Sequence, residues 1–149
     1  MEHEEAMRAA IMEAQQTKQD VPVGAVVVYE GKIIAACHNR REEDNAPFAH
    51  AEMLAMNEAA KVLGTRRLTG CTLYVTLEPC PMCAGAIILS GLSKCYFGAY
   101  DRQSGCCGSV YYIPQDRCFN HQVMCVGGIL EEECTRLLTD FFAQKRRGE

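Results

Sequence analysis

The chain has 149 residues, of which 48% are hydrophobic and 23% charged, the balance of one compact globular domain over residues 1–149 and not of a disordered or multidomain chain. A formal charge of -4 gives no global attraction to nucleic acid, so any such partner needs a local basic patch. No apolar stretch reaches membrane-spanning length, and Met1-Glu2-His3-Glu4-Glu5 lacks the basic start and apolar run of a secretory signal, so the ten cysteines are expected in the reducing cytoplasm as thiols or metal ligands.

Met7, Ala10, Ile11 and Ala14 recur at helical spacing and predict an amphipathic helix over residues 3–17. Residues 23–29 and 32–37 are β-branched or apolar runs around Glu30-Gly31, the pattern of a hairpin with a tight turn. After a polar loop over 39–49, residues 50–63 read as a helix with Ala51, Leu54, Ala55 and Val62 as its apolar stripe and Gly64 as its stop. Residues 71–77 form a strand closed by Glu78-Pro79, because the residue before proline is pushed extended. A helix over 81–89, a strand over 94–100, a glycine-rich loop through Gly105 and Gly108, and a weaker strand over 123–127 follow. The last helix starts at Glu131-Glu132-Glu133 and carries Cys134, Leu137, Leu138 and Phe141 on one face. Interleaved helices and strands predict an α/β fold with helices covering a mixed sheet.

Two short stretches carry chemistry, His50-Ala51-Glu52 and Pro79-Cys80-Pro81-Met82-Cys83, each at the start of a predicted helix. Cys80 suits the position before the first helical residue, because Pro81 has no N–H for the helix to miss, and Cys83 lies one turn on, facing the same way. The positive helix end favours thiolates, so both sulfurs are expected to be prepared as zinc ligands. One histidine and two cysteines leave a fourth zinc position for water, which implies a catalytic metal. Glu52 is then a proton carrier and not a ligand, since a carboxylate on the metal would occupy the reactive position. In a regular helix two-residue spacing separates side chains by about 200°, so His50 must stand at the very start of its helix for both to face one site.

On these motifs the chain resembles the bacterial tRNA adenosine deaminases of the cytidine-deaminase superfamily. The matching stretches run from 21–28 through His38-Asn39-Arg40, Ala49 to Glu52, residues 72–85, Phe97-Gly98-Ala99, residues 105–109, Asn120-His121 and Gly128 to Glu131. The resemblance implies a three-layer α/β/α fold with a five-stranded mixed sheet, one Zn2+ per subunit of a homodimer, and hydrolytic deamination of the wobble adenosine of tRNA to inosine. It also implies that Asn39 hydrogen-bonds the flipped base and that Val23, Ala51 and Pro79 line its pocket, while Glu52 shuttles the proton during attack on C6. The loop from Tyr100 to Tyr112 departs from the family pattern, with Tyr100 where a basic residue is common and Cys107 where a small residue is common.

Other readings stand beside these. A deaminase of a free purine such as guanine shares the Pro-Cys-Pro-Met-Cys motif, and a catalytically idle zinc-stabilised binding module is a third reading. Asn39 alone could be turn chemistry at a strand end. Asp101 and the run Lys145-Arg146-Arg147 are candidate RNA contacts, although the run could equally serve its helix dipole. Cys37, Cys71, Cys95, Cys106, Cys107, Cys118, Cys125 and Cys134 are expected as packed, reduced thiols, and His121 as a loop-bonded histidine.

Overall fold

In the computed structural model, which describes residues 1–148, the elements are α1 (His3–Ala14), β1 (Gly24–Tyr29), β2 (Lys32–His38), α2 (Ala51–Leu63), β3 (Cys71–Leu77), α3 (Pro81–Leu89), β4 (Lys94–Ala99), a short 3-10 helix (Ile113–Gln115), β5 (Met124–Val126) and α4 (Glu131–Arg146). The five strands lie in the order β2-β1-β3-β4-β5. β1 is antiparallel to β2 and to β3, whereas β3, β4 and β5 are parallel, so the sheet is mixed as expected.

Period-two alternation divides β1 between two cores. Ala25 and Val27 face a core built with Ala55, Ala59 and Ile87 of α2 and α3, while Val26 and Val28 face one built with Met7, Ala10 and Ile11 of α1. Cys134 of α4 joins the second core, giving three α/β/α layers. The hairpin turn places Glu30 at φ 50° and Gly31 at φ 75°, the left-handed pair that a two-residue turn between twisted strands requires. Gly24 brings β1 against α1 so closely that a Cβ there would stand 1.9 Å from the Ala10 carbonyl oxygen.

Three expectations need correction. The first helix ends at Ala14 and not at 17, because Thr17 turns back, its Oγ1 donating to the Ala14 carbonyl at 2.8 Å. The buried arc of α2 comprises Ala51, Glu52, Ala55, Met56 and Ala59, leaving Leu54 half-buried and Val62 55% exposed. The helix is rotated to carry Glu52 inward, and its small alanines let it lie close on the sheet. The last strand is only Met124–Val126, at the sheet edge.

Candidate active site

The loop before α2 ends in extended backbone, and His50 stands at the cap of that helix with φ -72° and ψ 148°. This is the irregular start that the spacing of His50 and Glu52 demands. Cys80 caps α3 in the same way, at φ -76° and ψ 177°, with Pro81 in the first turn. Cys83 follows one turn later and is fully buried. Two helix N-termini thus converge, one delivering a ring nitrogen and the other two sulfurs.

His50 Nδ1 lies 3.6 Å from Cys80 Sγ and 3.5 Å from Cys83 Sγ. A tetrahedral zinc with bonds of about 2.3 Å to sulfur and 2.0–2.1 Å to nitrogen holds such atoms about 3.6 Å apart. The donor set therefore fits zinc in both chemistry and spacing. Among the described residues these three form the one group of potential ligands with donor atoms all within 4.8 Å, and Glu52 is outside it.

The two thiols are not alike. Hydrogen bonding from Cys83, and then from His50, lowers Cys80 to about 4. Cys83 is pushed up, first by its bond to Cys80 and then by burial. This difference holds between the thiols without a metal; zinc would take both sulfurs as thiolates. The same contact with Cys80 raises His50. Burial pushes the Glu52 carboxyl up against the ordinary carboxylate value.

These groups open on a 260 Å³ cavity whose wall includes Val23, Asn39, His50, Ala51, Glu52 and Cys80. Asn39 donates its Nδ2 to the Val21 carbonyl at 3.1 Å, and its buried Oδ1 has no partner. The Nδ2 side of the amide is thereby fixed. Asp101 and Ser104 close the cavity from the loop after β4. Pro79 does not line it; this residue is fully buried and its carbonyl accepts the Cys106 N–H at 2.9 Å.

Val21, Arg41, Glu78 and Ser104 also border the cavity; Val21 and Glu78 lie within the stretches that match the family, and none of the four carries a site role in the sequence reading. The backbone just after Arg41 is held by Asp20, a buried carboxylate accepting the N–H groups of Glu42 at 2.8 Å and Glu43 at 3.2 Å. The neighbouring Arg40 is engaged by Asp44 at 3.0 Å and Glu43 at 3.1 Å. Val21, Asn39 and Arg41 are shared with a second cavity of 570 Å³, reached also by Lys18, Phe142 and Lys145. Lys145 stands 5.8 Å from the centre of the Phe141 ring. Arg146 and Arg147 are exposed at the end of α4. His121 Nε2 lies 3.0 Å from the Leu92 carbonyl oxygen, the loop-bonding role expected of it. The remaining cysteines are free thiols and buried, except for half-buried Cys37 and exposed Cys118.

A mixed α/β/α sheet with a His-Cys-Cys donor set and a buried carboxylate beside it defines a zinc-dependent hydrolytic deaminase. Residues 1–99 match the family model described as the cytidine and deoxycytidylate deaminase zinc-binding region. The chain belongs to that family. It is 52% identical over 143 residues to the tRNA-specific adenosine deaminase of Bacillus subtilis (strain 168), covering 95% of this chain and 89% of that protein. A solved structure from studies of A-to-I editing by tRNA:A34 deaminases at the wobble position superposes with a TM-score of 0.87 at 38% identity, covering 90% of this chain and 99% of that one. The guanine deaminase of Bacillus subtilis superposes with a TM-score of 0.64 at 40% identity, over 67% of this chain and 66% of the other.

Proposed function

We propose that this chain deaminates the wobble adenosine of tRNA to inosine by zinc-dependent hydrolysis. The observation that carries the chemistry is one cavity lined by Asn39, Glu52, His50 and Cys80, with the third donor, Cys83, buried beside His50 and Cys80. The likeness to tRNA-specific adenosine deaminases over 95% of the chain carries the substrate.

Bound zinc supplies the Lewis acidity that makes water a nucleophile near neutral pH. His50, Cys80 and Cys83 would hold that metal. Glu52 takes the proton of the attacking water, gives it to the ring nitrogen beside C6, and then assists departure of the amino group as ammonia. Water and adenosine are thereby converted to inosine and ammonia. Asn39 Oδ1 accepts a hydrogen bond from the base, and Val23 and Ala51 pack against its faces. The buried Pro79 supports the wall from behind.

The adjoining 570 Å³ cavity, bordered by Lys18, Arg41 and Lys145, suits a substrate that continues beyond the base as a phosphate backbone. Asp101 and the run of Lys145, Arg146 and Arg147 are its proposed RNA contacts. We further assign residues 1–149 to one domain that acts as a cytoplasmic homodimer. Free thiols support a reducing compartment, and no helix among the described residues is long and apolar enough to cross a membrane.

The test is ammonia release by the zinc-loaded protein given tRNA, guanine or cytidine in parallel, with inosine measured at the wobble position. Turnover confined to guanine overturns the substrate assignment. Sedimentation of the same preparation decides the dimer.

A further inference from the structure

We propose that Glu78 is a positioning residue that fixes the pocket wall at Asp101 and Ser104 relative to the ligand Cys80. The inference rests on the deaminase reading above and deepens it, because it concerns how the substrate cavity keeps its shape.

Glu78 is 2% exposed, and among the described residues no lysine or arginine forms an ion pair with it. A buried carboxylate of this kind must be satisfied by hydrogen bonds. All of its side-chain donors come from one loop. Oε1 accepts the Asp101 N–H at 3.0 Å and the Ser109 hydroxyl, and Oε2 accepts the N–H groups of Cys107 at 3.1 Å and Ser109 at 2.9 Å. Three backbone N–H groups and one hydroxyl, from residues 101, 107 and 109, thus converge on one side chain.

The backbone of the same segment adds two further ties. The Glu78 N–H donates to the Ala99 carbonyl at 2.9 Å, and the Pro79 carbonyl accepts the Cys106 N–H at 2.9 Å. The loop is drawn in so tightly that a Cβ on Gly105 would stand 2.3 Å from the Glu78 carboxyl carbon. Asp101 passes the order on, its Oδ1 accepting the N–H groups of Gln103 and Ser104 at 3.0 Å each. Asp101 and Ser104 then face the cavity. A single carboxylate two residues before Cys80 thus registers the loop wall against the metal ligand. Glu52 stands in the first turn of α2 and His50 at its cap, outside this loop.

Glu78→Gln tests the assignment. The amide has one acceptor oxygen in place of two, so it turns an NH2 group toward two of the N–H donors and releases that part of the wall. The zinc-loaded variant and wild type are compared in steady-state deamination of a tRNA anticodon stem-loop, with zinc content measured on the same samples. The expected result is a KM raised at least tenfold, with kcat within threefold of wild type and one zinc per chain. A KM raised less than threefold at full zinc overturns the proposal, as does a kcat loss that simply follows lost zinc at unchanged KM. Ser109→Ala, which removes only the hydroxyl donor, keeps the test decisive if Glu78→Gln does not fold: a KM raised at least threefold at full zinc supports the assignment, and a smaller change overturns it. Wild type inactive on RNA but active on guanine sinks the substrate reading alone, and the same KM comparison is then made with guanine.

Discussion

His50 Nδ1 and Cys83 Sγ lie 3.5 Å apart although 33 residues separate them in sequence. The contact joins the first turns of α2 and α3, and β3 runs between them in the chain. A metal held there closes two helix starts onto one another, so its binding energy is also folding energy.

Removal of zinc therefore has a structural signature as well as a catalytic one. Cys83→Ala is expected to lose the metal and all deaminase activity, and to melt below the wild type. Chelation of wild-type zinc should produce the same fall, reversed by adding zinc back. Calorimetry with metal analysis checks both, and a variant that keeps one zinc per chain would falsify the ligand assignment.

Glu52 gives the opposite pattern. It lies outside the donor cluster, so Glu52→Ala should retain about one zinc per chain and a cooperative melt. Activity should fall by about 10²- to 10⁴-fold, the range associated with loss of a positioned acid or base. Metal content and turnover measured on the same preparation separate this outcome from ligand loss.

Asn39 is the proposed base-reading amide. Asn39→Ala removes the unpartnered Oδ1 together with the bond to Val21 and leaves all three ligands in place. The expected result is intact zinc with kcat/KM on tRNA reduced by about ten- to hundredfold, as for a lost specific hydrogen bond of about 1.5–3 kcal/mol. Unchanged kinetics would return Asn39 to a turn-forming role.

The legible parts of this molecule are those specified by near neighbours. Glu30-Gly31 announces its turn, Pro81 its helix start and Gly64 its helix end, because each acts through its own backbone geometry. The metal site was legible for a related reason: His50 and Glu52 can share a site only at a helix start, and the chain folds there accordingly. Glu78 lies in the matching stretch 72–85, but its local reading is only that of the residue before proline. Its partners lie 23 to 31 positions away, in a loop without periodicity, and nothing local announces them. The rotation of α2 is similar, since both Val62 and Met56 are apolar and only the sheet beneath decides which is covered. The unequal thiols of Cys80 and Cys83 follow from burial and mutual contact, which spacing does not encode.

Packing of α1 on the sheet gives a prediction independent of the active site. A Cβ at position 24 would meet the Ala10 carbonyl oxygen at 1.9 Å and the Ala14 backbone nitrogen at 2.5 Å. Both are backbone atoms of one helix, so no side-chain rotation relieves the clash. Gly24→Ala is expected to destabilise the fold by about 1–3 kcal/mol or more, the cost of overpacking a tight core. Denaturant unfolding of zinc-loaded protein measures it, and a change below about 0.5 kcal/mol would show that α1 shifts freely.

The final prediction concerns how an acidic chain holds RNA. The formal charge of -4 opposes a polyanion at long range, so attraction must be local. Lys145 borders the 570 Å³ cavity beside the active site, and Arg146 and Arg147 follow it at the exposed end of α4. The apolar side of α4 is already packed through Cys134, Leu137 and Leu138, and of the three cations Lys145 borders the cavity. Each phosphate neutralised by such a cation releases condensed counterions, with a slope of about 0.7 in log K against log salt per contact on single-stranded RNA. A chain ending at Gln144 should therefore bind tRNA more weakly at low salt, with a slope smaller by about 1–2, while keeping its zinc and its turnover at saturating substrate. Fluorescence titrations across a salt series provide the measurement. Identical slopes for the two chains would mean that these charges serve only the C-terminal dipole of α4, and RNA attraction would then fall to Lys18 and Arg41 on the other side of the same cavity.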